Sequence, residues 1–310
     1  MNLTEEILKG SPRAIAKGIS LVEDDGAKAQ DMLRAIFPHT GRSTVIGITG
    51  SPGSGKSTLA DQLISQIKKE DSRIGIIAVD PSSPFTGGAI LGDRIRMMRH
   101  SLDPDIFIRS MATRGHLGGL AKATGEAISV LEAAGKRYIL IETVGVGQDE
   151  VEVVKMSDLV LVVLIPGTGD EIQAFKAGIM EIADAFVLNK ADSPDALRAE
   201  RQLKAMLDLG IKNHDIPPVC KTVAITGEGV DDLWTTAQGL LLKRPEADRA
   251  FRKKRLIEWM LRDIISTKVA QTVHSRVDEA EFQRFIELIY KRKTDPYVVA
   301  DGIIEQLKGT

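Results

Sequence analysis

One cysteine in 310 residues, Cys220, excludes an internal disulfide and any site built on several thiolates. No apolar run approaches the roughly 18–20 residues of a membrane span, which predicts no membrane association. The opening residues, MNLTEEILKGSPRAIAKG, lack the charged-then-apolar layout of a secretory signal, so a cytoplasmic protein is expected. An excess of one charge is missing too. Forty-one Lys+Arg against 43 Asp+Glu leave a net charge of −2, and no whole-chain basic surface points to nucleic acid. His39, His100, His214 and His274 are scattered without zinc spacing, and there is no internal repeat or low-complexity tract. What is present is ordinary globular material. With 43% hydrophobic residues the chain can build a real core. At roughly 100–200 residues per domain it forms one large domain with appendages, or two domains.

Residues 1–42 read as a helical N-terminal segment, with Ser11 as N-cap and Pro12 at the first helical position. Leu21, Met32, Leu33, Ile36 and Phe37 can form its apolar stripes. Residues 43–244 then alternate short apolar runs with longer helical stretches. The runs are VIGIT (45–49), RIGIIAV (73–79), DIFIRS (105–110), RYILIE (137–142), DLVLVVLI (158–165), DAFVLN (184–189) and PVCKTVAI (218–225). Short and nearly all apolar, they suit strands covered on both faces. The alternation predicts an α/β fold with a doubly wound, mostly parallel sheet of about seven strands. Residues 245–310 read as a helical arm. In it 247–273 is one helix with Leu256, Trp259, Met260 and Ile264 near one face, and further helices begin after Asp278 and after Asp295-Pro296. Such a stripe packs on its own domain or on a second copy.

Gly50-Ser51-Pro52-Gly53-Ser54-Gly55-Lys56-Ser57 spells G-x-x-x-x-G-K-[ST] between a strand and a helix. Glycines let backbone N–H groups curl around phosphates, and the helix N-terminus adds positive potential. Lys56 supplies a mobile cation for the β- and γ-phosphates, and the Ser57 hydroxyl is placed for Mg²⁺. With Thr58, these residues form the predicted phosphate-binding tract; the plain alternative is a Gly-rich turn.

Asn189-Lys190-Ala191-Asp192 follows the run DAFVLN. N-K-x-D at a strand end is the guanine signature of P-loop GTPases. The Asp192 carboxylate can accept from the guanine N1–H and exocyclic amine together, a pair of donors that adenine does not offer. The Lys190 stem can cover the base plane, and Asn189 can tie neighbouring loops together. Alone the tetrapeptide would read as a helix-capping turn; behind a P-loop it predicts a GTP and GDP site. A further loop, Thr222-Val223-Ala224, falls where such GTPases read Ser-Ala, and offers a backbone contact to the base from Ala224.

Glu142-Thr143-Val144-Gly145 ends a strand where a GTPase carries D-x-x-G. Glu142 can reach Mg²⁺ and Gly145 can offer its N–H to the γ-phosphate. The next residue, Val146, stands where Ras-like enzymes hold a water-orienting Gln, so unassisted hydrolysis is expected to be weak, with help from a partner or from Gln148. Asp80 ends a strand beside the P-loop, a position for a metal- or phosphate-facing carboxylate. Asp93 could be a second, with Arg94 or Arg96 balancing phosphate charge; the alternative for Asp93 is a solvated helix. His116, in the Gly-rich tract TRGHLGGLA, reads as a surface or packing residue.

GSPGSGKST, VDPSSPFTGGAILGDRIRM, TRGHLGGLA, ETVGVGQDEVEV, GTGDEIQAFKAGIMEIAD and NKAD, in this order, resemble the MeaB/ArgK family. These are G-proteins associated with adenosylcobalamin-dependent acyl-CoA mutases, chiefly methylmalonyl-CoA mutase, within a wider SIMIBI-type group of metallochaperone GTPases. The resemblance covers nearly the whole chain. It implies that Asp80, Asp93 and Glu142 form the acidic cluster of the metal site and that Lys56, Asp93, Glu142 and Gly145 serve hydrolysis. It also implies that Gly167 to Ile179 is a further switch loop responding to the mutase, in which Gln173 and Lys176 sense the nucleotide. The family gates cobalamin delivery and protects the mutase, and the arm would make a homodimer. No residue pattern here is itself a cobalamin site; D-x-H-x-x-G is absent. Three other readings remain beside it. A nickel-insertion maturation GTPase would need Cys/His clusters; a transport-linked kinase would need adenine; a nucleotide-ordered scaffold would turn over only incidentally.

Overall fold

A computed structural model of the chain describes residues 2–24, 26–80, 98–100, 103–112, 119–143, 154, 156–167, 182–210 and 216–308. Every predicted apolar run becomes a strand: β1 (Thr44–Gly50), β2 (Ile74–Asp80), β3 (Ile106–Ala112), β4 (Tyr138–Thr143), β5 (Leu159–Leu164), β6 (Ala185–Asn189) and β7 (Val219–Thr222). All are paired in parallel, in the order β3-β2-β4-β1-β5-β6-β7.

The reason lies in two-sided burial. Every residue of β5 is buried. Leu159, Leu161 and Val163 face one core, shared with Leu59, Leu63 and Ile64 of α4 (Lys56–Ile67) and Leu233 and Trp234 of α7 (Val230–Lys243). Val160, Val162 and Leu164 face the other, shared with Leu203 and Leu207 of α6 (Ala196–Gly210). Side chains alternating across a strand therefore need apolar residues at both parities, which is why the run shows no polar alternation. Trp234 is further fixed by an edge-to-face contact with Tyr138 at 5.6 Å and by its Nε1–H donating to Glu70 Oε1 at 2.8 Å.

The N-terminal segment forms α1 (Leu3–Leu8), α2 (Pro12–Glu23) and α3 (Ala27–Ile36). Ile15, Ile19, Met32 and Ile36 are buried, and α2 and α3 pack against α5 (Gly119–Ala133). Ser11 is the N-cap of α2 with Pro12 inside it, as expected, but Phe37 stays exposed rather than joining the apolar stripe.

Beyond the sheet come α8 (Glu246–Arg276), α9 (Glu279–Tyr290) and α10 (Pro296–Lys308). Asp278 caps α9, accepting from the Glu281 N–H at 2.6 Å, and Asp295 accepts from the Tyr297 N–H at 2.8 Å at the start of α10. Contacts group the chain into two compact units, Met1–Leu256 and Ile257–Thr310. Of the predicted stripe on α8, Met260 and Ile264 are half-buried, while the side chains of Leu256 and Trp259 lie outside the described residues.

β7 stops at Thr222, three residues before the apolar run ends. The Val223 N–H turns back to Glu228 O at 2.9 Å, and the Thr226 and Gly227 N–H groups both bond Val223 O, at 3.0 and 2.9 Å. Gly229 closes the turn at φ 73°, where an added Cβ would lie 2.1 Å from Lys221 O; only glycine fits. Past the end of β7 the turn keeps Ala224 buried in the core and leaves Ile225 exposed.

Candidate functional site

The strand order places β1 at the centre, so its C-terminal end opens where connections leave on both sides of the sheet. Ligands of open parallel sheets collect outside such carboxyl ends. Here a cleft of about 580 Å³ is lined by Pro52, Gly53, Gly55, Lys56, Ser57, Thr58, Glu142, Asn189, Lys190, Asp192, Ser193, Val223, Ala224 and Ile225. The predicted phosphate tract, the carboxylate at the end of β4 and both base-loop segments thus meet in one space.

Its floor is the turn from β1 into α4. Gly55 is the N-cap at φ 88°, and a Cβ there would meet the Asn189 Nδ2 at 2.4 Å. Lys56 is buried, its ammonium donating to Gly50 O at 2.8 Å and Ser51 O at 2.9 Å. That holds a cation over the loop whose N–H groups precede the helix, an arrangement able to receive phosphate oxygens. Ser57 Oγ donates to Glu142 Oε1 at 2.5 Å, with both side chains buried. A hydroxyl and a carboxylate side by side at a helix N-terminus are hard oxygen donors of the kind Mg²⁺ takes, and Mg²⁺ completes its shell with water and phosphate oxygens. Two protein ligands therefore fit it, although among the described residues no group of three or more His, Cys, Asp or Glu gathers round a metal position.

Asn189 joins the two halves of the cleft. Buried at the end of β6, it donates from Nδ2 to Ser54 O at 2.8 Å. Its Oδ1 accepts from Thr222 Oγ1 at 3.1 Å and from the Ala224 N–H at 3.0 Å. The phosphate loop and the base loop are therefore fixed to each other through one side chain. The Ala224 N–H, expected to face the base, is engaged by Asn189 here. Lys190 follows at φ 56°, which turns the chain so that Lys190 and Asp192 both reach the cleft, exposed.

Asp80 is the last residue of β2, paired with Ala112, and its side chain lies outside the described residues. Asp93, Gly145, Gln173 and Lys176 also lie outside them, as do Arg94, Arg96, His116, Val146 and Gln148. Ile225 and Ser193, which the sequence reading did not single out, also line the cleft. Asp61 was equally silent. It is buried in α4 one turn beyond Ser57, pairs with Arg99, and lies 3.4 Å from His100 Nε2, tying residues 98–100 to the phosphate-loop helix. Its one sequence signal is a carboxylate on the apolar face between Ala60 and Leu63.

Residues 15–278 match the family described as Methylmalonyl Co-A mutase-associated GTPase MeaB. The chain is similar to a Pyrococcus abyssi protein named as a candidate GTPase, 49% identical over 99% of this chain and 96% of that one. It is also similar to the Escherichia coli GTPase ArgK, 34% identical over 92% of this chain and 89% of the relative. A crystal structure named for a LAO/AO transport system kinase superposes with a TM-score of 0.67 at 25% identity, covering 99% of this chain and 96% of its own.

Proposed function

The chain belongs to the methylmalonyl-CoA mutase-associated GTPase family, and from that premise we propose that it gates adenosylcobalamin loading onto an acyl-CoA mutase, methylmalonyl-CoA mutase first among them, and protects that mutase. It is a P-loop GTPase. The observation that carries the guanine reading is the Asn189 bridge, which sets Asp192 and the Lys56 loop in one cleft.

In this reading the Lys56 ammonium exchanges its carbonyl partners, Gly50 O and Ser51 O, for β- and γ-phosphate oxygens. Ser57 and Glu142 would hold Mg²⁺, which supplies neutralisation of the charge growing on the phosphates. Asp192 accepts from the guanine N1–H and exocyclic amine, and the Lys190 stem lies over the base. Asp80 and Asp93 complete the acidic cluster, Gly145 meets the γ-phosphate, and Gln173 and Lys176 report its loss to the mutase. The name of the solved kinase invites an adenine-based reading, which the paired acceptor of Asp192 disfavours. The chain acts as a homodimer through its C-terminal arm. What supports this is a row of exposed apolar residues at helical spacing, Ile257, Leu261, Ile265 and Val269, on α8.

Val146 cannot orient water, so hydrolysis waits on the partner. The test is single-turnover GTP hydrolysis by the purified protein, alone and with methylmalonyl-CoA mutase. Slow turnover alone and acceleration by the mutase are expected. Fast turnover alone, or no response to any acyl-CoA mutase, contradicts the gating role.

A further inference from the structure

We infer that Asp61 is a positioning residue for the metal site: with Arg99 and His100 it fixes the setting of α4 on which the Ser57 hydroxyl depends. This rests on the reading of Ser57 and Glu142 as Mg²⁺ ligands and adds to it a carboxylate that lies outside the cleft.

α4 carries two stripes. Leu59, Leu63, Ile64 and Ile67 pack into the core. Ser57, Asp61, Ser65 and Lys68 fall four, four and three residues apart, the spacing of one helix face. Each member of this polar stripe finds a partner. Ser57 Oγ donates to Glu142 Oε1 of β4 at 2.5 Å. Asp61 pairs with Arg99, and its Oδ1 lies 3.4 Å from His100 Nε2. That ring nitrogen is also 3.2 Å from Asp61 O and 3.4 Å from Ser65 Oγ. Lys68, the C-cap, pairs with Asp103. The Asp103 N–H in turn bonds His100 O at 3.1 Å. The turn Met98–His100 and Asp103 are thereby laid along α4 before the chain enters β3.

Asp61 is 1% exposed, whereas its partner Arg99 is exposed. A buried carboxylate is a poor source of stability, since an apolar residue of similar volume at such a position is commonly neutral or better. What it gives that a leucine would not is direction. Apolar burial lets a helix slide or turn slightly at small cost, while the geometry of a hydrogen-bonded pair does not. Asp61 stands one turn behind Ser57 on the same face, so the setting it fixes passes to Ser57 through the helix itself. The metal site is where this matters. Mg²⁺ demands near-ideal octahedral geometry, and the short Ser57 side chain cannot make up for a displaced backbone. Lys56 can, because its flexible four-carbon stem moves with the phosphates. Loss of the Asp61 anchor therefore weakens Mg²⁺-supported binding and leaves the metal-free grip on the nucleotide intact.

The experiment is calorimetric titration of GDP into the full chain, once with Mg²⁺ and once with EDTA. The variants are Asp61→Ala, Arg99→Ala, their double, and Arg99→Lys. Arg99 sits at the surface, so its variants test the anchor even where Asp61→Ala folds poorly. Groups bonded directly to a metal ligand are worth about 10- to 100-fold in metal affinity, and an anchor one helical turn away predicts about fivefold. With Mg²⁺, each alanine variant should bind GDP about fivefold more weakly, and the double should lose the same about fivefold rather than the product, because both changes remove one anchor. Arg99→Lys keeps the charge and should stay within about twofold of wild type. In EDTA all should match wild type. Unchanged Mg²⁺-supported affinity in Arg99→Ala overturns the inference. An equal loss with Mg²⁺ and with EDTA also overturns it, because Asp61 would then only hold the helix in the fold. Wild-type GDP binding that is the same in Mg²⁺ and EDTA would overturn the metal reading itself, an outcome distinct from a magnesium-dependent wild type whose variants behave like it.

Discussion

Asn189→Ala should loosen two loops at once. Asn189 is 2% exposed and its side chain makes three hydrogen bonds, to Ser54 O, from Thr222 Oγ1 and from the Ala224 N–H. Truncation strands those three groups at the cleft floor. Each buried polar group left unsatisfied costs about 1–3 kcal/mol, and water entering from the cleft relieves part of that. A net loss of about 2–4 kcal/mol follows, or roughly 5–15 °C in melting temperature for a unit of this size. Thr222→Val is the graded control, because it deletes one of the three bonds and should lose only about 1 kcal/mol. The assay is thermal unfolding with and without GDP. At a hundredfold excess over Kd, a ligand adds about 2.7 kcal/mol of stability. Asn189→Ala should show both a lower midpoint and a smaller GDP-induced rise; Thr222→Val should keep nearly the full rise. An alanine variant that matches wild type in midpoint and in GDP response would refute the bridge as the element that aligns the two loops.

Lys56→Ala removes a charge-assisted donor from the phosphate loop, so GTP affinity should fall about 10- to 100-fold in equilibrium titration, while an unchanged value would discard the cradle. Glu132 offers a pH test away from the cleft. Burial pushes its carboxyl above the ordinary 4.5, against the opposing hydrogen bonds from the Gly41 and Ser43 N–H groups. Above 4.5 the folded chain still holds a proton that the unfolded chain has released, so this group's contribution is full below 4.5 and is lost as pH rises through the raised folded value. Glu132→Gln, which cannot titrate, should therefore lose this group's downward contribution to melting temperature as pH rises above 4.5; a pH profile parallel to that of wild type would contradict it.

Much of this was written locally in the chain. A phosphate loop must spell its glycines in order, because the backbone itself is the binding group, and Gly50 to Ser57 therefore read directly. N-K-x-D is legible for a similar reason: Asn189 is placed by the loops it joins, and in the proposed function Asp192 is placed by its pair of acceptor oxygens. The strands were legible because two-sided burial leaves continuous apolar runs. Where the sequence misleads, a distant partner decides. PVCKTVAI looks like one strand to residue 225, but the turn closed at Gly229 cuts it at Thr222. Phe37 has apolar chemistry and no neighbour to bury it. Asp61 looks like a stray carboxylate on an apolar face until Arg99 and His100 arrive from 38 and 39 residues away.

In the proposed function one carboxylate and one loop act on the same ligand. The sharpest measurement of this is calorimetric titration of GDP and xanthosine diphosphate, in magnesium buffer, into wild type and Asp192→Asn. The predicted result is tight GDP binding by wild type and a reversal toward xanthosine diphosphate in the variant, whose amide donates where xanthine carries a carbonyl. No GDP association by wild type, or a variant that still prefers GDP, would contradict it.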